Sequence, residues 1–125
     1  MDLSLDHSEG HLLVRRVGGH TVTLIDRELA ASFLLAPDQV VENWPVDSAS
    51  MLEAGHVDAL LALQPELVIL GTGERQAFPA AAFMAGFLRK GIGIEVMDNA
   101  AAARTYNLLA SEGRRVVAGF ILPAA

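Results

Sequence analysis

The chain contains no cysteine. Disulfides, thiolate nucleophiles and cysteine-based zinc sites are therefore excluded. Positive charge is scarce: nine Lys and Arg stand against fifteen Asp and Glu, a formal net charge of −6. Sequence-independent binding to nucleic acid needs a concentrated cationic surface that displaces counterions, so that class of partner drops out. No apolar run approaches the length of a membrane span, and insertion into a bilayer is not expected. The opening residues Met1-Asp2-Leu3-Ser4-Leu5-Asp6 have no basic stretch leading into an apolar core, so no secretory signal is visible and a cytoplasmic protein is the expectation.

Catalytic motifs are missing as well. Gly71-Thr72-Gly73 is glycine-rich, but no Gly-Lys-Ser/Thr follows as in a P-loop, and Gln76 stands where a dinucleotide fingerprint needs its third glycine. There is no Gly-x-Ser-x-Gly elbow, and nothing assembles a nucleophile, a base and an orienter. His7, His11, His20 and His56 show no metal-ligand spacing and read as exposed or incidental. No metal and no cofactor is expected.

What is present is apolar residue and alternation. Hydrophobic residues make up 52% of the chain and charged residues 19%, too apolar for disorder and rich enough to leave apolar surface for an interface. A chain of 125 residues buries roughly two-thirds of its unfolded surface on folding. In the N-terminal half, residues 11–17 and 21–25 flank Gly18-Gly19 as a β-hairpin whose glycines would supply positive φ. Residues 32–35 and 39–42 form two more short strands around a Pro37-Asp38 turn, and Trp44-Pro45-Val46 is an extended link. Ser50-Met51-Leu52-Glu53 matches a capping box, although Gly55 also allows a turn there and a helix only from Val57 to Leu63. Strand Leu67 to Leu70 follows, then a helix from Pro79 to Lys90, a strand from Ile92 to Met97, a helix to about Glu112 and a strand from Arg115 to Leu122. Proline at a helix start and glycine just past its end, at Gly91 and Gly113, mark the boundaries. Strands alternating with helices imply an α/β fold, with a parallel or mixed sheet and helices on its faces.

Two strand-to-helix turns, after Leu70 and after Met97, should lie side by side on one sheet edge, where α/β proteins place ligands and partners. The candidate edge is Gly71, Thr72, Gly73, Glu74, Arg75, Gln76, Asp98, Asn99 and Arg104, with Asn107 on the same helix face as Arg104. Arg75, near free backbone N–H groups, could hold a carboxylate or phosphate. Asp98 suits a helix cap, or an ion pair with Arg75 or Arg104, better than catalysis. The helix after Pro79 carries no charge on any face, so either both faces are buried within the fold or one is covered by another chain. Phe83 with Phe87, or Met84 with Leu88, would anchor such a contact, and a homo-oligomer is one possibility.

Three stretches carry a resemblance. Val68-Ile69-Leu70-Gly71-Thr72-Gly73-Glu74-Arg75-Gln76, Gly91-Ile92-Gly93-Ile94-Glu95-Val96-Met97-Asp98, and residues 102–116 (Ala102-Ala103-Arg104-Thr105-Tyr106-Asn107 through Val116) resemble the family of the mitochondrial complex I assembly factor 3 and its bacterial and archaeal Mth938-like relatives of unknown function. The likeness runs over nearly the whole chain and is dense from Pro65 to Leu122. It implies one Mth938-like domain over residues 1–125, three-layered, with a central mixed, mostly parallel sheet, helices packed on it and extra β structure from the N-terminal half. It implies assembly work through protein contacts for the mitochondrial relatives, and supplies no catalytic residues. Without a transit peptide, this chain looks like a stand-alone bacterial member. The expectation is a non-enzymatic interaction or assembly protein. The alternative is a small-molecule binding domain or enzyme holding an anionic ligand at residues 71–76 and 97–99.

Overall fold

Two sheets organise residues 11–123, the part of the chain that the computed structural model describes; Met1 to Asp6 and His7 lie outside it. Strands β1 (Val14–Val17), β2 (Val22–Leu24) and β3 (Glu28–Leu29) form an antiparallel sheet in that order. Strands β4 (Phe33–Ala36), β5 (Gln39–Val41), β6 (Leu67–Gly71), β7 (Gly93–Met97) and β8 (Val116–Phe120) form a second sheet, ordered β5-β4-β8-β6-β7. It is mixed: β6 runs parallel to both β7 and β8, while β4 is antiparallel to β5 and β8. Helices α1 (Val57–Leu61), α2 (Ala81–Leu88) and α3 (Asn99–Ser111) complete the fold.

The strand alternation sorts side chains into two cores. Val68, Leu70, Leu34 and Val117 point to one face, where α1 and α2 cover them with Leu60, Phe83 and Phe87. Ile69, Leu35, Val116, Ala118 and Phe120 point to the other, against Ala102, Ala103 and Tyr106 of α3 and Val14, Val22 and Leu24 of the small sheet. A strand buried on both faces reads as a continuous apolar run, which is how residues 67–70 and 116–120 appear. From β6 the chain crosses to β7 on one side, and from β7 back past β6 to β8. Two right-handed crossovers in opposite directions must lie on opposite faces, and α2 and α3 do. The result is the three-layer mixed α/β architecture expected from the sequence.

Helix ends follow their local chemistry. Gly91 and Gly113 take positive φ values of 72° and 81°, so the next residue can turn back and donate to the last turn: Ile92 N–H to the Phe87 carbonyl at 3.0 Å and Arg114 N–H to that of Leu109 at 3.1 Å. Three local expectations fail and one strand is new. Neither Gly18 nor Gly19 has positive φ, because the hairpin loop spans four residues and closes with Gly18 N–H donating to the Thr21 carbonyl, where left-handed residues are not required. Ser50 and Glu53 do not form a capping box; the alternative holds instead, a turn there and a helix that begins at Val57 and ends at Leu61 rather than Leu63. Residues Ala49–Met51 and Ala54–His56 are separate 3-10 turns, and the box is Glu53 with His56, whose Nδ1 accepts from Glu53 N–H. His56 is thus a capping residue, not incidental. Pro79 precedes the helix by two residues, and Ala80 is the N-cap of α2. Finally, β3 has only two residues and offered no periodicity to read.

The small sheet is tied to the large one through α3. The Asn107 side chain accepts from Val14 N–H at 2.9 Å and donates to the Val14 carbonyl at 2.8 Å, acting as one more rung alongside β1. Tyr106 Oη donates to the Leu12 carbonyl at 2.7 Å. Burial pushes the Tyr106 phenol well above the usual tyrosine range; Asp38 pushes the same way and Arg115 opposes it. A group whose folded pKa is raised contributes stability below its unfolded pKa and loses it as pH rises. Stability should therefore fall as pH climbs past about 10, and a Tyr106→Phe variant should lack this component. Urea unfolding of both proteins between neutral pH and pH 11 checks this, and equal slopes would contradict it.

Candidate functional site

The C-terminal ends of β6, β7 and β8 meet at one side chain. Asn99, first residue of α3, is 4% exposed. Its Oδ1 accepts from Gly73 N–H at 3.1 Å and its Nδ2 donates to the Ile121 carbonyl at 3.0 Å. Its own N–H donates to the Gly73 carbonyl at 2.8 Å. Ile121 N–H in turn donates to the Gly71 carbonyl at 2.9 Å, and Thr72 N–H to that of Met97 at 3.0 Å. One amide therefore joins the loops after β6 and β8 to the start of α3. A Cβ on Gly71 would collide with Asn99 Oδ1 and crowd Ala102 and Phe120. The first glycine of Gly71-Thr72-Gly73 is a space for that amide.

The rest of the edge closes on itself in the same way. Thr72 Oγ1 donates to the Arg75 carbonyl at 2.6 Å and accepts from Ala77 N–H at 3.0 Å, folding residues 72–77 into a tight loop. Gln76 Nε2 donates to the Val96 carbonyl at 2.8 Å, covering part of the open edge of β7. Asp98 is the N-cap of α3, its Oδ1 accepting from Ala101 N–H at 2.8 Å. Among the described residues no buried polar side-chain atom lacks a partner.

The structure brings together Gly71, Thr72, Gly73, Glu74, Asp98 and Asn99, but not the arginines. Neither Arg75 nor Arg104 forms an ion pair among the described residues, so the proposed pairing with Asp98 is absent. Both are exposed. Asn107 belongs to the β1 contact rather than this edge, since the small sheet lies over its helix face. A cleft of about 340 Å³ does open here, lined by Val17, Gly18, Gly19, Gly73, Glu74, Asp98, Asn99 and Ala100. Its ionisable side chains are both carboxylates and Arg75 does not line it, an arrangement that repels an anion. Gly18 and Gly19, from the hairpin loop, also line it, and no local pattern places them beside Gly73.

On the other face, Phe83 and Phe87 are fully buried and pack edge-to-face at 5.1 Å. They cannot serve as contact anchors, because α2 turns them onto β6 and β7. Met84 is half-buried. Leu88 is 60% exposed, and Phe78, which the sequence reading passed over, is 68% exposed. The helix lacks charge because its outer face is largely alanine. No helix of the described residues is long and apolar enough to cross a membrane, and no cluster of His, Cys, Asp or Glu could hold a metal there.

A family profile described as "Protein of unknown function (DUF498/DUF598)" matches residues 14–121. A solved Xanthomonas campestris protein is similar over 98% of this chain and 92% of its own, at 48% identity and a TM-score of 0.82. A Bordetella pertussis protein described as a Mth938-like domain shares 29% identity over 98% of this chain and 92% of its own, with a TM-score of 0.78. A relative named 13 kDa major membrane protein, from Francisella tularensis, is 33% identical over 66% of this chain and 68% of its own length. Human NADH dehydrogenase [ubiquinone] 1 alpha subcomplex assembly factor 3 is 33% identical over 71% of this chain, which spans 49% of that relative.

The Asn99 geometry predicts a large stability effect. Asn99→Ala strands the Gly73 N–H and the Ile121 carbonyl, which should cost about 3 kcal/mol in denaturant unfolding. Asn99→Asp should be no better at neutral pH, since an ionised carboxylate has no proton for the Ile121 carbonyl; the deficit should shrink as pH falls and the acid regains a donor. By contrast, Asp98→Ala should cost about 1 kcal/mol and Asp98→Asn much less, because asparagine caps nearly as well. An Asn99→Ala cost no larger than that of Asp98→Ala would contradict the assignment.

Proposed function

The chain belongs to the protein family of unknown function DUF498/DUF598, and on that footing we propose that it is a non-enzymatic protein-interaction domain of the assembly-factor kind. The observation that carries this reading is the use of the polar residues at the strand ends. Thr72, Gln76, Asp98 and Asn99 each hold a backbone group, and all four are engaged in maintaining the fold. The most exposed large apolar side chains are Phe78 ahead of α2, Leu88 at its end and Leu108 on α3, and exposed apolar surface of this kind marks contact sites. Relatives named as NADH dehydrogenase assembly factor 3, including the human and Danio rerio proteins, lend the same direction.

The anionic-ligand alternative needs Arg75 to face a pocket. The nearby cleft is lined by Glu74 and Asp98 instead, so it lends that alternative no support. In a native extract of its host, the tagged chain should elute with a second protein in stoichiometric amount, above the 13.3 kDa of the chain alone. Arg75→Ala and Glu74→Gln should leave that complex intact. Elution as the chain alone would overturn the reading. So would a melting temperature raised by millimolar phosphate or nucleotide in an Arg75-dependent way.

A further inference from the structure

The stretch of chain that carries α2 holds positive charge and no acid. Between Arg75 and Ile94 the chain carries three cations, Arg75, Arg89 and Lys90, and all fifteen carboxylates lie outside this stretch. Among the described residues none of the three forms an ion pair. Ala81, Ala85 and Leu88 recur at helical spacing on the outer face of α2, and Phe78 stands just ahead of it. Beside it runs a groove of about 300 Å³ between α1 and α2, with Val57, Leu61 and Gly86 along it and Asp58, Arg89 and Lys90 at its rim. The groove is shallow because the helices approach closely: a Cβ on Gly86 would strike the Val57 side chain.

We infer that this face docks an amphipathic helix of another protein, one that carries Asp or Glu beside its apolar stripe; the inference rests on the interaction-domain reading above. Apolar side chains of the partner lie along the alanines between Phe78 and Leu88, one enters the groove, and its carboxylates meet Arg89 and Lys90. A second copy of this chain is a poor occupant. Such a copy would bring a single acid of its groove, Asp58, to meet Arg89 and Lys90, which leaves the two cations under-matched. An anionic bilayer is also a poor fit, since a flat surface does not fill a groove and the chain as a whole carries −6.

A photoreactive amino acid at Ala85 of the full chain, irradiated in extract of its own host, tests this, with the same group at Glu112 on the far side of the sheet as control. The expected result is one heterologous adduct at Ala85, mapping to a partner segment with apolar residues at helical spacing and at least two nearby carboxylates. Arg89→Glu with Lys90→Glu should cut its yield at least tenfold, and reversing the partner's carboxylates to lysine should restore it. An adduct to a second copy, a partner segment without acids, indifference to the charge reversal, or pelleting of the chain with phosphatidylglycerol vesicles would each overturn the inference. Adducts at Glu112 but not at Ala85 would overturn it while sparing the interaction-domain reading. No adduct at either position would count against both.

Discussion

The Asn99 side chain is the constraint on which the rest of the structure depends. It satisfies a donor and an acceptor on two loops that follow different strands, and it does so from the first position of the helix that covers those strands. Its amide fits because Gly71 has no side chain. Once Asn99 is seated, Asp98 is placed to cap α3 and the register of the helix on the sheet is set. Ala102, Ala103, Tyr106 and Ala110 then face the sheet, and Asn107 faces β1. The N-terminal sheet is held partly by that helix, so a loss at residue 99 reaches strands more than seventy residues away in sequence.

Small residues do similar work elsewhere. Gly86 brings α2 against Val57, and Gly119 leaves room for the Trp44 ring, which a Cβ would meet at 3.0 Å. Close approach of elements lets a chain of this size bury two cores, one on each side of a five-stranded sheet. It also consumes the polar residues at the strand ends as ties between backbone segments. On the outer side of α2, exposed Leu88 is followed directly by Arg89 and Lys90, neither of them in an ion pair among the described residues.

Much of the fold was legible because its signals are local. The runs at residues 67–71 and 116–120 are apolar on both faces, Gly91 and Gly113 end helices, and Pro37-Asp38 turns β4 into β5. The resemblance to the assembly-factor family rested on the same C-terminal stretches. The site was less legible because its logic is long-range. Asp-Asn before an alanine run reads as a cap, and Asp98 is one, but nothing near Asn99 announces that its amide reaches residues 73 and 121. Asn107 looks like a solvent-facing residue until β1 is laid over it. The Ser50-x-x-Glu53 pattern was real as a pattern and still lost to a 3-10 turn, with the next glutamate-to-histidine spacing forming the box instead. The charge-free helix stands out in the sequence, yet nothing there says that Phe83 and Phe87 turn inward and leave Leu88 and Phe78 outside.

Native-state hydrogen exchange at the amides of Gly73, Asn99 and Ile121 tests the central role of Asn99 most directly. All three sit just past strand ends, where exchange is ordinarily fast through local fraying. If the Asn99 amide holds the strand ends as one unit, these three should open only with the whole molecule, at the same free energy as Ile69 and Val117 within β6 and β8. Exchange through low-energy local openings, at rates like those of the exposed loop from Glu74 to Ala77, would contradict the account.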